Sequence, residues 1–395
     1  MSESGVLPGT VPSHPVGQRP ALVATACTDG CVDLWNPVTG RPVGEPLTGH
    51  DGPVLGVAFS ADGRLLASAG RDGTVRLWDP ATARLVGAPL ATHAEAVEAV
   101  AFAGDSIVVS AGREGTIRLR DPRTGQPART PLRHSRGLLQ TALGIDWLAP
   151  KINGVPSNAF DTDMRRVRGI RSAAVSADGR VLASGGYDGT VRVWDLIARR
   201  RIGGRFSAHR TTSAVALSPD GRLLATGGAE GWVRLWDTTA RREADPELTA
   251  PRDPVIALAF SPDGKILAAG NAYHGGTWLW DTTSGALLPG PPGDGGVRGL
   301  AFSADGRLLA IATDGSTAKL WDMTSGQYSG SPLYRADPHP GGHGHEPYGI
   351  AVTGSIAPSS LPPPGPVYTE PGPHPLITPP PEQPYAAHGT LEGSA

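Results

Sequence analysis

Residues Gly49 to Asp79 read GHDGPVLGVAFSADGRLLASAGRDGTVRLWD. Val54 to Phe59 is a short apolar run, and Ser60-Ala61-Asp62-Gly63 carries the Asp and Gly of a hairpin turn, where glycine reaches positive φ without steric cost. Leu65 to Ser68 makes a second strand, Arg71-Asp72-Gly73 a second turn, and Thr74 to Trp78 a third strand of β-branched and aromatic residues. The Arg84 to Gly87 stretch is a candidate fourth, outer strand. Four antiparallel strands of this kind form one sheet that is apolar on both faces and cannot stand alone in water.

The apolar strand with its Trp-Asp-like end recurs at Trp35, Trp78, Arg120, Trp194, Trp236, Trp280 and Trp321, at intervals of 43, 42, 74, 42, 44 and 41 residues. All but one fall in the forty-odd-residue period of a four-stranded propeller blade. The fold class is therefore all-β, a seven-bladed β-propeller of four-stranded antiparallel blades, each blade burying its faces against its neighbours. Although 395 residues would suggest several domains by length, the repeat predicts one propeller over 21–353, with a flexible N-terminal segment over 1–20 and a disordered Pro-rich tail over 354–395.

Charge is nearly balanced, 35 Lys+Arg against 37 Asp+Glu, so no whole-protein field points to nucleic acid or an anionic membrane. No window approaches the length of a membrane span, and the start lacks a basic and apolar leader, which together predict a cytoplasmic protein. Arg greatly outnumbers Lys, a usage compatible with a GC-rich bacterial genome. Cys27 and Cys31 flank a Thr-Asp-Gly turn and could face each other across a hairpin. A disulfide or metal clip is open to them, but two cysteines with no further Cys or His nearby do not build a metal site, so no metal and no cofactor are expected.

The repeats resemble WD-repeat (WD40-type) β-propellers over about Ala21 to Leu333. The same order of turn, strand, turn and Trp returns from Val175 to Asp195, from Leu217 to Asp237 and from Phe302 to Asp322. The resemblance implies a hydrogen-bonded tetrad of His, Ser or Thr, Asp and Trp inside a blade. It falls on His50, Ser68, Asp72 and Trp78; on Ser184, Asp188 and Trp194 with His134; and on His209, Thr226, Glu230 and Trp236. Such groups are structural, since a buried indole, imidazole and carboxylate must satisfy one another at about 1–3 kcal/mol for each left unpaired.

Several places depart from the pattern. Blade 3 has Arg120 for the Trp and Glu114 for the turn Asp, so its tetrad should fail, with an Arg120–Glu114 ion pair or a solvent-facing Arg120 in its place. Blades 6 and 7 lack the His. The interval of 74 holds an insertion, 135–166, whose apolar residues Leu139, Trp147 and Leu148 suit either a partner contact or a cover over blade 3. The first repeat starts in what should be its second strand, while Tyr348 to Val352 resembles a first strand after the seventh. Either this segment closes blade 1, with His345 joining Thr25, Asp29 and Trp35, or it is a truncated eighth repeat.

Function should sit where the inner strands vary. Their second residues are Leu55, Glu98, Arg171, Ser213, Ile256 and Arg298, with Tyr348 if the chain closes on itself; the residues before the second-turn acid include Arg71, Arg113 and Tyr187. In the resembled family these places contribute to the upper binding face. A mostly basic rim with aromatic surface suits an acidic or phosphorylated peptide. The reading is a non-catalytic scaffold, monomeric within a complex, that binds a protein partner on this rim and on the insertion. It is not an enzyme and has no nucleic-acid or membrane partner. The alternative is a propeller hydrolase using Glu98 and the neighbouring Arg residues on a small molecule. No Gly-rich phosphate loop or Gly-x-Ser-x-Gly elbow is present to support catalysis.

Overall fold

The computed structural model describes residues 21–134, 169–333 apart from short turns (205, 208, 245–247, 249–252, 274–275, 294 and 315–316), and 347–353. Seven antiparallel sheets follow one another, six of them running from an inner strand outward in chain order. The innermost strands are Pro347–Thr353 (blade 1), Val54–Phe59, Val97–Ala103, Ile170–Val175, Thr212–Leu217, Val255–Phe260 and Val297–Phe302 (blade 7). Each neighbours the next, and Pro347–Thr353 lies between Val297–Phe302 and Val54–Phe59, so the ring is complete.

Closure is made by the end of the described chain. Pro347–Thr353 pairs with Leu22–Cys27, Val23 opposite Val352 and Thr25 opposite Ile350, and supplies the first strand missing before the first repeat. It is the inner strand of blade 1 and not the start of an eighth blade. Blade 1 has three strands, with isolated bridges at Val32–Leu47 and Trp35–Pro42 where a fourth would lie. Blades 2 and 4 gain a short fifth pairing, Ala91–Thr92 and Phe206–Ser207.

The core is seven apolar seams, one per pair of adjacent blades. Between blades 1 and 2, Ala24, Ala26, Val32 and Leu34 meet Val54, Leu66 and Trp78. Between blades 6 and 7, Ala268 and Leu279 meet Val297, Leu309 and Trp321. In six seams the Trp of the later blade packs on the earlier one. The seam between blades 2 and 3 has no such ring, because Arg120 stands there. The Arg120–Glu114 pair is not formed. Arg120 is half-buried and donates from Nη1 to the Gly125 carbonyl at 2.9 Å, while Glu114 binds His93 and Thr116.

The turn chemistry explains the recurring letters. Ser60 Oγ–H donates to Asp62 at 2.7 Å, and the Leu65 amide donates to Ser60 Oγ at 2.9 Å. The same closure returns at Ser176, Ser218, Ser261 and Ser303. In blades 4 to 7 the Asp after the Trp accepts backbone amides two and three residues on, as Asp237 does from Thr239 and Ala240. Short polar side chains thus satisfy amides that the tight turns leave unpaired.

Candidate functional site

Six inner strands shift register at one place: between Val54 and Gly56, Val97 and Ala99, Ile170 and Ser172, Thr212 and Ala214, Val255 and Ala257, and Val297 and Gly299. The residues skipped are Leu55, Glu98, Arg171, Ser213, Ile256 and Arg298. In blade 1 the pairing jumps from Gly349 to Pro347, so position 348 takes the same register. A bulged residue is left out of the ladder and can be re-aimed, which is why this position tolerates any chemistry while its neighbours stay apolar. A second bond brings the second turn alongside: the Arg71, Arg113 and Tyr187 amides donate to Pro53, Ala96 and Gly169 at 2.8, 2.9 and 3.1 Å.

On blades 2 to 4 these two rows form one cluster. The Tyr187 hydroxyl donates to Glu98 Oε1 at 3.2 Å, joining blade 4 to blade 3. Arg113 Nε lies 3.7 Å from the same oxygen. Arg113 and Arg171 stack over the Tyr187 ring at 5.3 and 5.5 Å from its centroid. Arg171 Nη1 also donates to the Tyr187 hydroxyl at 3.5 Å. Burial pushes the Glu98 carboxyl above its ordinary range, outweighing the pull of Arg171, Arg113, the Tyr187 hydroxyl and Arg71. Burial, then the Glu98 charge, raises Tyr187. Three guanidiniums thus surround one carboxylate, leaving an excess of positive charge.

The rim differs from its sequence reading in two respects. Tyr187 is 2% exposed, so it is the floor under the two guanidiniums and not an aromatic surface. Arg298 is exposed on blade 7, across the ring from the cluster, so the basic character is a patch on blades 2 to 4 and not a continuous rim. Leu139, Trp147 and Leu148 of the insertion lie outside the described residues, as do the 1–20 segment and the tail beyond 353. Sequence reasoning passed over Trp232 and Tyr273, 53% and 71% exposed, at the second turns of blades 5 and 6. The signal was available, because Trp232 takes the place of Thr74 and Tyr273 that of Asp72.

The other polar clusters are internal. In blade 2, Trp78 Nε1–H donates to Ser68 Oγ at 2.8 Å, Ser68 Oγ–H to His50 Nε2 at 2.7 Å, and His50 Nδ1–H to Asp72 at 3.0 Å; the ring proton is assigned from these partners. Blade 4 brings together Trp194, Ser184, His134 and Asp188 with the ring turned over, Nδ1 2.8 Å from Ser184 Oγ and Nε2 3.7 Å from Asp188, His134 reaching its blade from before the insertion. Blade 5 uses Trp236, Thr226, His209 and Glu230. Blade 3 keeps three members without the indole: His93 binds Ser110 at 2.8 Å and Glu114 at 2.5 Å. The loss of Trp therefore does not dissolve the tetrad, because the His bridges its other partners unaided.

These clusters set the acid response. Burial opposes ionisation of Asp188, but His134 and Thr190 outweigh it and bring its pKa down to about 2 from 3.8. Asp72 and Glu114 are lowered as well, against burial, by their hydrogen bonds. Burial holds His50 and His209 below the usual 6.5. All five have depressed native values, so their stability is present above the unfolded pKa and is lost as pH falls through the native one. Glu98 is raised and acts in the opposite sense. The urea midpoint is expected to fall below pH 6.5 as unfolded histidines take up protons first. It should fall again below 3.8, Asp188 alone contributing on the order of 2 kcal/mol. A midpoint that stays flat from pH 7 to 3 would contradict the assignment.

Five segments match the family model described as WD domain, G-beta repeat: 40–79, 166–195, 201–237, 246–281 and 284–322. They coincide with blades 2, 4, 5, 6 and 7. Five of the seven blades thus carry WD40 repeats. The two blades outside the matches are the ones the geometry marks as irregular, blade 1 assembled from both ends of the ring and blade 3 carrying Arg120. No curated protein matches the chain. WD40 propellers generally serve as non-catalytic scaffolds for protein–protein interaction. Among the described residues, no helix is long and apolar enough to cross a membrane.

Proposed function

We propose that this WD40 propeller is a non-catalytic scaffold that holds an acidic peptide segment of a protein partner over blades 2 to 4. The observation that carries the reading is the Arg71, Arg113 and Arg171 group set around Glu98 and Tyr187 at the bulged mouth of the ring. Arg113 keeps 39% of its side chain exposed while Glu98 keeps 16%, so the cation faces solvent and the carboxylate lies beneath it. Stacking on Tyr187 pre-organises both guanidiniums, which reduces the entropy lost when they bind a carboxylate or phosphate. Glu98 tempers the charge and would disfavour ligands with a single weak anion.

A cytoplasmic monomer within a larger complex is the setting that fits a scaffold of this kind. The rival reading, a hydrolase acting through Glu98, takes its support from the raised carboxyl.

Binding of an acidic peptide panel to wild type and to the Arg71→Ala/Arg113→Ala/Arg171→Ala variant is the test. Affinity is expected to fall at least tenfold in the variant and to weaken with salt, with Arg298→Ala changing little. Equal binding by the triple variant removes the proposal, and turnover abolished by Glu98→Gln would put the hydrolase in its place.

A further inference from the structure

The tetrad slot of blade 1 is built from different residues. In blades 2 to 5 the slot lies over a glycine, because a Cβ on Gly70 would fall 2.3 Å from His50 Nδ1 and 2.4 Å from Asp72 Oδ1. Gly112, Gly186 and Gly228 are equally crowded by their own His or acid. In blade 1 that glycine is Cys27, whose side chain fills the place of the ring. His345, the histidine expected for this blade, lies outside the described residues. The neighbouring Thr74 place is Cys31. Opposite Thr25, where Ser68, Ser110, Ser184 and Thr226 face Arg76, Arg118, Arg192 and Arg234, blade 1 has Asp33.

Strand register places these residues together. Thr25 faces Asp33, and the Cys27 amide donates to the Cys31 carbonyl two residues further along, so Cys27, Cys31 and Asp33 share one side of the hairpin. They are 2%, 4% and 1% exposed. Two sulfurs and a carboxylate oxygen lie within 4.8 Å of one another, and Cys27 Sγ is 3.7 Å from Asp33 Oδ2. Zinc bonds of about 2.3 Å to sulfur and 2.0–2.2 Å to oxygen span an S···O edge of roughly 3.5 Å in a tetrahedron.

We propose that Cys27, Cys31 and Asp33 form a structural site for a thiophilic divalent cation, zinc by ligand type, that replaces the histidine–carboxylate half of the tetrad in the blade where the ring closes. Uptake of Zn²⁺ forms two Zn–S bonds and one Zn–O bond and releases both thiol protons to solvent. The fourth position is left for water or a further donor. Both thiols must lose their protons to bind the ion, so loading should strengthen with pH. Such a clip would fix the hairpin that the closing strand must pair with.

The full-length protein, reduced and stripped of metal, would be titrated with Co²⁺ as a spectroscopic probe. Expected is a thiolate-to-cobalt charge-transfer band saturating at one equivalent and displaced by one equivalent of Zn²⁺. Imidazole ligands, such as His339, His343 and His345 in the HPGGHGH stretch of the sequence, give no such band. Asp33→Asn keeps shape and both thiols and should weaken binding at least tenfold; Cys31→Ala should abolish the band, with near-ultraviolet dichroism of the tryptophans confirming that each variant is folded. Three results overturn the proposal: no band with stoichiometric cobalt, unchanged affinity in Asp33→Asn, or a chain that reoxidises to a Cys27–Cys31 disulfide and then takes up no metal.

Discussion

A chain ending before Pro347 is expected not to fold to a ring at all. Pro347–Thr353 supplies the inner strand of blade 1 and packs between two other inner strands, so its loss opens two seams at once. On one side Ile350 joins Val23, Trp35, Leu308 and Leu320. On the other, Ala24 and Ala26, both fully buried, would face water along an unpaired edge. Burial of Ile350 and Val352 is worth about 3 kcal/mol, and the register of six pairs with Leu22–Cys27 is lost with it. Domains are stable by only ~5–15 kcal/mol, so the deletion should leave an aggregating chain without a cooperative unfolding transition. A chain ending after Thr353 retains every described pairing and is the control. Cooperative unfolding of the shorter chain, followed by tryptophan fluorescence, would show that blade 1 is dispensable and that the ring tolerates a gap.

The architecture was legible because it repeats. Trp at intervals of 41 to 44 residues, Asp-Gly turns and apolar strands are local signals, and each acts within some thirty residues, as in Ser60 closing on Leu65. Closure was legible for the same reason, since the pattern of Tyr348 to Val352 matched what the first repeat lacked. Contacts between blades were not. Glu98, Arg113 and Tyr187 could be placed in the two variable rows, yet Tyr187 reaching Glu98 is a contact across 89 residues. Whether a ring residue caps or underlies a cluster depends on that neighbour. Asp33 was readable in principle as an acid where other blades place Arg, but its meaning rests on the strand register that sets it beside two sulfurs. For Arg120 the sequence left open a pair with Glu114 or a turn to solvent; His93 holds that carboxylate, because the tetrad geometry needs no indole, and Arg120 binds the Gly125 carbonyl.

The glycine before the second turn of blades 2 to 5 gives the strongest point prediction. His50 and Asp72 meet directly above Gly70, and a methyl group there would stand 2.3 and 2.4 Å from their nitrogen and oxygen. Neither side chain can retreat without letting go: His50 is 1% exposed and held by Ser68, and Asp72 is held by Thr74 and the Asp51 amide. Gly70→Ala therefore removes the histidine–carboxylate bond and strands buried polar groups, at about 1–3 kcal/mol for overpacking and a similar amount for the lost partners. A loss of about 3 kcal/mol or more in urea unfolding is expected. Blades 6 and 7, which lack the His, hold Asn271 and Thr313 at this register, opposite Val255 and Val297. Exchanging Thr313 for Gly should accordingly cost far less than Gly70→Ala, since no imidazole waits there for the space. Equal losses at the two positions would mean that the glycine serves the strand and not the tetrad, and the steric exclusion argued for Cys27 would lose its basis.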